Sequence, residues 1–150
     1  MRKRYGKLKL CSATGISCVL LGIDVITPPL DGTVLPGVTR ESCITLLQSH
    51  SPDSPLDSLN PDIVVHVHES PFTVGDMRKW SSEGRLLEAF GVGTAAVISG
   101  VGAIGLEGHP DIELAEYNGG LGPVGRALYN RITDIQEGRV EFRDWSYVCA

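Results

Sequence analysis

The stretch that most limits what this chain can become is "RLLEAFGVGTAAVISGVGAIGLEG", Arg85 to Gly108. Its apolar runs are short and each is cut by glycine, which destabilises the interior of a helix by about 1 kcal/mol relative to alanine. A long helix is therefore disfavoured, and short strands joined by tight turns fit the pattern. With 150 residues, the chain is long enough for one domain that buries roughly 70% of the surface its unfolded form would expose.

Upstream, the segments alternate in kind. Asp24 to Thr27, "DVIT", reads as a β-branched strand end, and "PPLDG" stops it, because proline cannot donate to a ladder and Asp-Gly favours a turn. "TVL", residues 33–35, reads as a second short extended piece, and Pro36-Gly37 turns the chain again. Cys43, Ile44 and Leu47 then follow at helical spacing, predicting a helix from Thr39, or the residue before it, to about His50.

Residues 51–61, "SPDSPLDSLNP", form a Pro-, Ser- and Asp-rich connection expected at the surface. "DIVVHVHES" alternates around Val65 and Val67 as a strand. In "PFTVGDMRKWSSEG", Thr73 with Asp76 three positions later predicts a capped helix that Gly84 ends. "GGLGPVGRALYNRITDIQEG" places Pro123 in a first helical turn, repeats apolar residues at Leu121, Val124, Leu128, Ile132 and Ile135, and closes at Gly138. The final "RVEFRDWSYVCA" alternates weakly, as an edge strand would. The expected class is α/β, with about three helices and no second domain.

Charge and cysteine usage exclude some functions. A net charge of -5 gives no electrostatic footprint for nucleic acid. Cys11, Cys18, Cys43 and Cys149 form no CxxC pair and have no histidine at metal-ligand spacing, so free thiols are expected. The basic start carries Arg2, Lys3, Arg4, Lys7 and Lys9, with no acid before Asp24. Followed by "LCSATGISCVLLGI", it imitates a targeting segment, but the apolar run is interrupted and too short to span a bilayer.

Two junctions could hold an anion. A helix N-terminus has unpaired N–H groups and a partial positive charge, so "LPGVTR" could present the amides of Val38 and Thr39, with the Thr39 hydroxyl and a close approach at Gly37. An ordinary capped helix has the same pattern, and this stretch alone does not decide. "GVGTAA", Gly91 to Ala96, offers two glycines, a hydroxyl and small residues, but no Walker A lysine and no dinucleotide glycine pattern. "GGLGPVG" reads as a plain helix entry.

Other polar residues carry less. His66 and His68 share a strand face without a third metal ligand, and Ser99 lacks the flanking glycines of a nucleophile elbow. Arg126 and Arg131 lie off the apolar stripe, as solvated or paired residues do. Trp80 and Trp145 read as core or interface residues.

Taken together, "TPPLDGTVLPGVTRES", "EGRLLEAFGVGTAAVIS" and "GGLGPVGRALYNRITDIQEGR" closely resemble the C-terminal part of branched-chain amino acid aminotransferases. The likeness runs from about Asp24 to the end and weakens across residues 51–61, leaving residues 1–23 as an unmatched basic segment and 24–150 as a partial class-IV aminotransferase domain. It implies the C-terminal large-domain portion of the D-amino acid aminotransferase-like, fold-type IV fold, and pyridoxal 5'-phosphate as cofactor. By this resemblance, Leu35 packs on the cofactor ring, Gly37 admits the ligand, and the Val38 and Thr39 amides hold its phosphate. Thr94 adds a phosphate contact, and the Ala95 and Ala96 backbone meets the substrate carboxylate.

The implied reaction moves the amino group of leucine, isoleucine or valine to 2-oxoglutarate, in a family whose members are commonly homodimers of the cytoplasm or mitochondrion. Neither a nucleic acid nor a membrane is implied as a partner. Members carry the Schiff-base lysine, the carboxylate facing the pyridinium nitrogen and a phosphate-binding arginine well upstream of the "LDG" turn, whereas 28 residues precede Pro29 here. The resemblance assigns that lysine to none of Lys3, Lys7, Lys9 or Lys79, so the chain is expected to be inactive alone. The alternative expectation is a non-enzymatic binding or assembly module that associates with a full-length paralogue. Where Gly100 and Gly102 stand, the family often has proline and a basic residue. Some members have a CxxC pair at the positions of Ala96 to Ser99, a switch that this chain lacks.

Overall fold

A computed structural model describes residues 15–20, 22–32 and 34–147. Its strands are β1 (Gly15–Leu20), β2 (Asp24–Thr27), β3 (His66–Glu69), β4 (Leu86–Gly93), β5 (Val97–Gly100), β6 (Ala103–Leu106) and β7 (His109–Glu113), and its helices are α1 (Val38–Gln48), α2 (Val74–Ser82) and α3 (Pro123–Gln136). The first five strands form one sheet in the order β3-β2-β1-β4-β5, and β6 and β7 form a separate hairpin.

β1 is the middle strand. It pairs antiparallel with both β2 and β4, through Cys18 to Ile26 on one side and Ser17 to Phe90 on the other. β2 and β4 therefore run the same way, and β3 is parallel to β2, with Glu69 beside Thr27. The consequence is topological: β2, β3 and β4 all leave the sheet at one end. The Pro28–Gly37 connection and the turn after Gly93 emerge from that end together. The basic residues 2–9 lie outside the described residues, whereas Gly15–Leu20 of the following apolar run is this central strand.

Alternation of side chains across the strands builds two cores. Val19, Val25, Phe90, Val92 and Ile98 pack with Cys43, Leu46 and Leu47 of α1 and Val124, Leu128 and Ile132 of α3. On the other side, Ala89 packs with Val74 and Met77 of α2 and with Ile112 of the hairpin, while Phe72 and Trp80 meet at 6.0 Å. All five apolar positions expected to stripe the last helix are buried.

The α2 boundaries follow the expected capping box. The Asp76 amide donates to the Thr73 hydroxyl at 3.1 Å, and the Thr73 amide donates back to the Asp76 carboxylate at 2.8 Å. α1 ends at Gln48 with Ser49 as its C-cap residue, and beyond it the Nδ1 of His50 accepts the Leu56 amide of the following loop at 3.0 Å.

Three expectations change. Val34 and Leu35 belong to no strand, since prolines at 28, 29 and 36 leave too few donors for a ladder. The 51–61 connection is polar at the surface, but Leu56 and Leu59 turn inward to the core, held there while the Arg131 guanidinium donates to the Pro55 carbonyl at 2.6 Å. The segment after α3 forms no strand among its described residues. Arg143 (φ 47°) and Asp144 (φ 54°) are both left-handed there, breaking an extended run, and Phe142 and Trp145 pack edge to face at 4.9 Å.

Candidate functional site

The first turn of α1 sits where β2 and β3 end. Gly37 is its N-cap residue, and no side chain caps the helix. The first intrahelical acceptance is Glu41 N–H to Gly37 O at 3.1 Å, so the amides of Val38, Thr39 and Arg40 lack intrahelical acceptors. Val38 is 83% exposed and Leu35 79% exposed, which leaves apolar surface beside these donors.

Gly37 itself has φ -77° and ψ 136°, extended backbone that any residue adopts. An added Cβ would come no nearer than 4.0 Å to the Leu35 carbonyl oxygen. The protein therefore does not require glycine at this position for its own conformation or packing.

A cavity of ≈ 370 Å³ opens here, lined by Leu30, Pro36, Gly37, Val38 and Trp145 among others. A neighbouring cavity of ≈ 520 Å³ shares Val38, Ser42 and Trp145 and continues along Ile132 and Ile135 of α3. Trp145, with 40% of its surface exposed, forms a wall common to both. Thr94, Ala95 and Ala96 line neither cavity; they form the exposed β4–β5 turn at the same end of the sheet. The topology thus brings Gly37–Thr39 and Thr94–Ala96 to one end, on two separate connections.

Two charged residues that sequence reasoning passed over organise this half of the fold. Arg40 is 5% exposed, and its Nη2 donates to the Pro28 carbonyl at 2.7 Å and to Glu69 Oε2 at 2.8 Å, while its Nε has no partner. Glu88 is 3% exposed on β4, where its carboxylate accepts the Val124 amide at 2.8 Å and the Gly125 amide at 3.2 Å from the start of α3. Burial pushes the Glu88 carboxyl up, against the amides of Val124, Gly125 and Gly122, which pull it down. Burial and the Glu88 charge both raise the Tyr117 phenol, whose hydroxyl donates to the Leu87 carbonyl at 3.1 Å. A signal was present in each case: an acid within the apolar "LLEAF", and a cation in a first helical turn, where the dipole disfavours it.

Gly100 and Gly122 are explained by close approach. A Cβ on Gly100 would overlap the Gly120 carbonyl, and one on Gly122 would overlap the Glu88 carboxylate. The remaining candidates are structural. His68 pairs with Asp24 at 2.8 Å on the surface, Arg126 donates to Gly119 O at 2.8 Å, and the described residues contain no cluster of metal-ligating side chains. Burial pushes the Cys43 thiol up to about 12. Lys79, the one lysine among the described residues, lies on α2 across the sheet from α1, 4.0 Å from Glu83. No helix among the described residues is long and apolar enough to cross a membrane.

No protein-family model matches the chain. It is 38% identical over 128 residues to the mitochondrial branched-chain-amino-acid aminotransferase of Saccharomyces cerevisiae, covering 85% of this chain and 30% of that protein. Its fold overlays the branched-chain amino acid aminotransferase from Escherichia coli with TM-score 0.59 at 24% identity, over 90% of this chain and 36% of the other. An aminotransferase from Brucella abortus, solved bound to the co-factor PLP, aligns with TM-score 0.52 at 25% identity, covering 80% of this chain and 33% of its own. The chain has the α/β fold of fold-type IV aminotransferases. It is a relative of the branched-chain-amino-acid aminotransferases, and spans about a third of the length of the proteins it matches.

Proposed function

We propose that this chain carries one wall of a branched-chain aminotransferase site, the wall that holds the phosphate of pyridoxal 5'-phosphate. The observation that supports this most directly is the uncapped start of α1, where exposed amides meet an apolar cavity. A neighbour solved bound to the co-factor PLP supports the same ligand.

On this reading the Val38 and Thr39 N–H groups donate to phosphate oxygens, aided by the partial positive charge of the helix start. The Thr39 hydroxyl and Thr94 add donors from the two connections. Leu35 supplies the apolar contact for the ring, Gly37 leaves the space that a side chain would fill, and the Ala95 and Ala96 backbone receives the substrate carboxylate. When bound, the cofactor serves as the electron sink for moving an amino group between branched-chain amino acids and 2-oxo acids. The whole enzyme would be a homodimer of the cytoplasm or mitochondrion, the yeast relative being named mitochondrial.

Lys79 lies on the opposite side of the sheet from the proposed site, so this reading gives it no covalent role. Titration of the purified chain with pyridoxal 5'-phosphate, followed by amide chemical shifts, tests the proposal. Shifts at Val38, Thr39 and Thr94 are expected, with no stoichiometric borohydride-fixed adduct on Lys79. Saturable binding that leaves those three residues unmoved would defeat it.

A further inference from the structure

We infer that Arg40 is a positioning residue, and that its pair with Glu69 clamps the first turn of α1 over the ends of β2 and β3, holding the helix-start amides in place for an anion. The inference rests on the phosphate-wall reading and adds to it a residue whose Nη2 is engaged by Pro28 and Glu69.

Arg40 stands in the first turn of α1, where a cation opposes the helix dipole, so its presence there requires a compensating contact. The contact is double: one guanidinium nitrogen donates to the carbonyl of Pro28, the first residue after β2, and to the Glu69 carboxylate that ends β3. Three chain segments, far apart in sequence, meet at a single nitrogen. Arg40 is buried, whereas the Glu69 side chain is 47% exposed, so the pair is open to water on one side only. No side chain caps α1, and Gly37 has no Cβ to pack, so neither of the usual devices fixes this helix start. A donor array can bind tightly without reorganising only if it is already held.

The test uses the 150-residue chain and two variants, Glu69→Gln and Arg40→Lys. Glu69→Gln removes one charge at a half-exposed position, so it keeps the test open if burying a lysine at position 40 prevents folding. The first readout is hydrogen exchange at the Glu41 amide, the first hydrogen bond of α1. It is expected to accelerate about tenfold in either variant, the size of one hydrogen bond to a charged group, with Leu128 in α3 unchanged. The second is binding of inorganic phosphate followed at the Val38 and Thr39 amides, expected to weaken by a similar factor while the melting temperature of Glu69→Gln shifts little. Unchanged Glu41 exchange overturns the clamp, as does faster exchange with undiminished phosphate binding. If the unaltered chain shows no phosphate response, the phosphate-wall reading fails, and the positioning inference falls with it even where exchange reveals a clamp.

Discussion

Glu88 and Val124, 36 positions apart in the chain, are joined by a 2.8 Å hydrogen bond in which the first turn of a helix donates to a buried strand carboxylate. The side chain takes the place at α3 that a ligand is proposed to take at α1. Replacing it with glutamine keeps an acceptor but turns an amide donor toward backbone N–H groups. Glu88→Gln should cost about 1–3 kcal/mol, read by urea denaturation.

The same residue predicts a pH dependence. Its folded value is raised above 4.5, so the folded state favours the protonated carboxyl over the charged one more than the unfolded chain does. The stability this contributes is complete below the unfolded value and is lost as pH rises through the folded one. The gap between the native protein and Glu88→Gln should therefore be widest at the acid end and narrow with rising pH. A gap that widens instead would mean that the three amides and the helix dipole outweigh burial.

At the start of α1, Gly37→Ser should separate stability from binding. A serine at that position can accept one of the free first-turn amides, which stabilises the helix by a few tenths of a kcal/mol relative to glycine. The same bond competes with an anion for those donors, so phosphate affinity should fall as the melting temperature rises. Both moving in the same direction would remove the anion from this helix start.

Thr39→Ala should weaken pyridoxal 5'-phosphate binding about tenfold to a hundredfold, the equivalent of losing one bond to a charged group, and excess cofactor should restore occupancy. Gly37→Val, whose backbone needs no glycine, should leave the fold intact and act through bulk alone. Ser51→Ala serves as the control. Equal affinities in all three would relocate the phosphate.

Thr73→Ala removes one half of the α2 capping box, which lies across the sheet from α1. It should cost about 1 kcal/mol in thermal unfolding and leave phosphate binding unchanged.

Much of this was legible in the sequence, and the reasons differ by element. The Thr73–Asp76 box and the Pro123 helix start are local chemistry, carried by residues three apart or by one ring, and both appear where expected. Helix α1 was equally plain from its apolar spacing. What stayed hidden depends on distant partners. Arg40 looks like a surface residue until Pro28 and Glu69 are placed beside it, and Gly100 looks like a turn glycine until the Gly120 carbonyl fills the space its Cβ would need. The unpaired C-terminal segment was misread because weak alternation is a necessary feature of an edge strand, and two left-handed residues cancel it. For the site, the helix start could be read directly, but its placement at the same end of the sheet as Thr94 depends on the directions of three strands.

Those directions have a practical consequence. Since β2, β3 and β4 discharge toward one end, the exposed bend at Glu83–Gly84, which enters β4, lies at the other. A tether grafted there would fasten the molecule to a sensor surface with its helix-start amides facing the flowing solution, so that the proposed anion site would stay open to ligand.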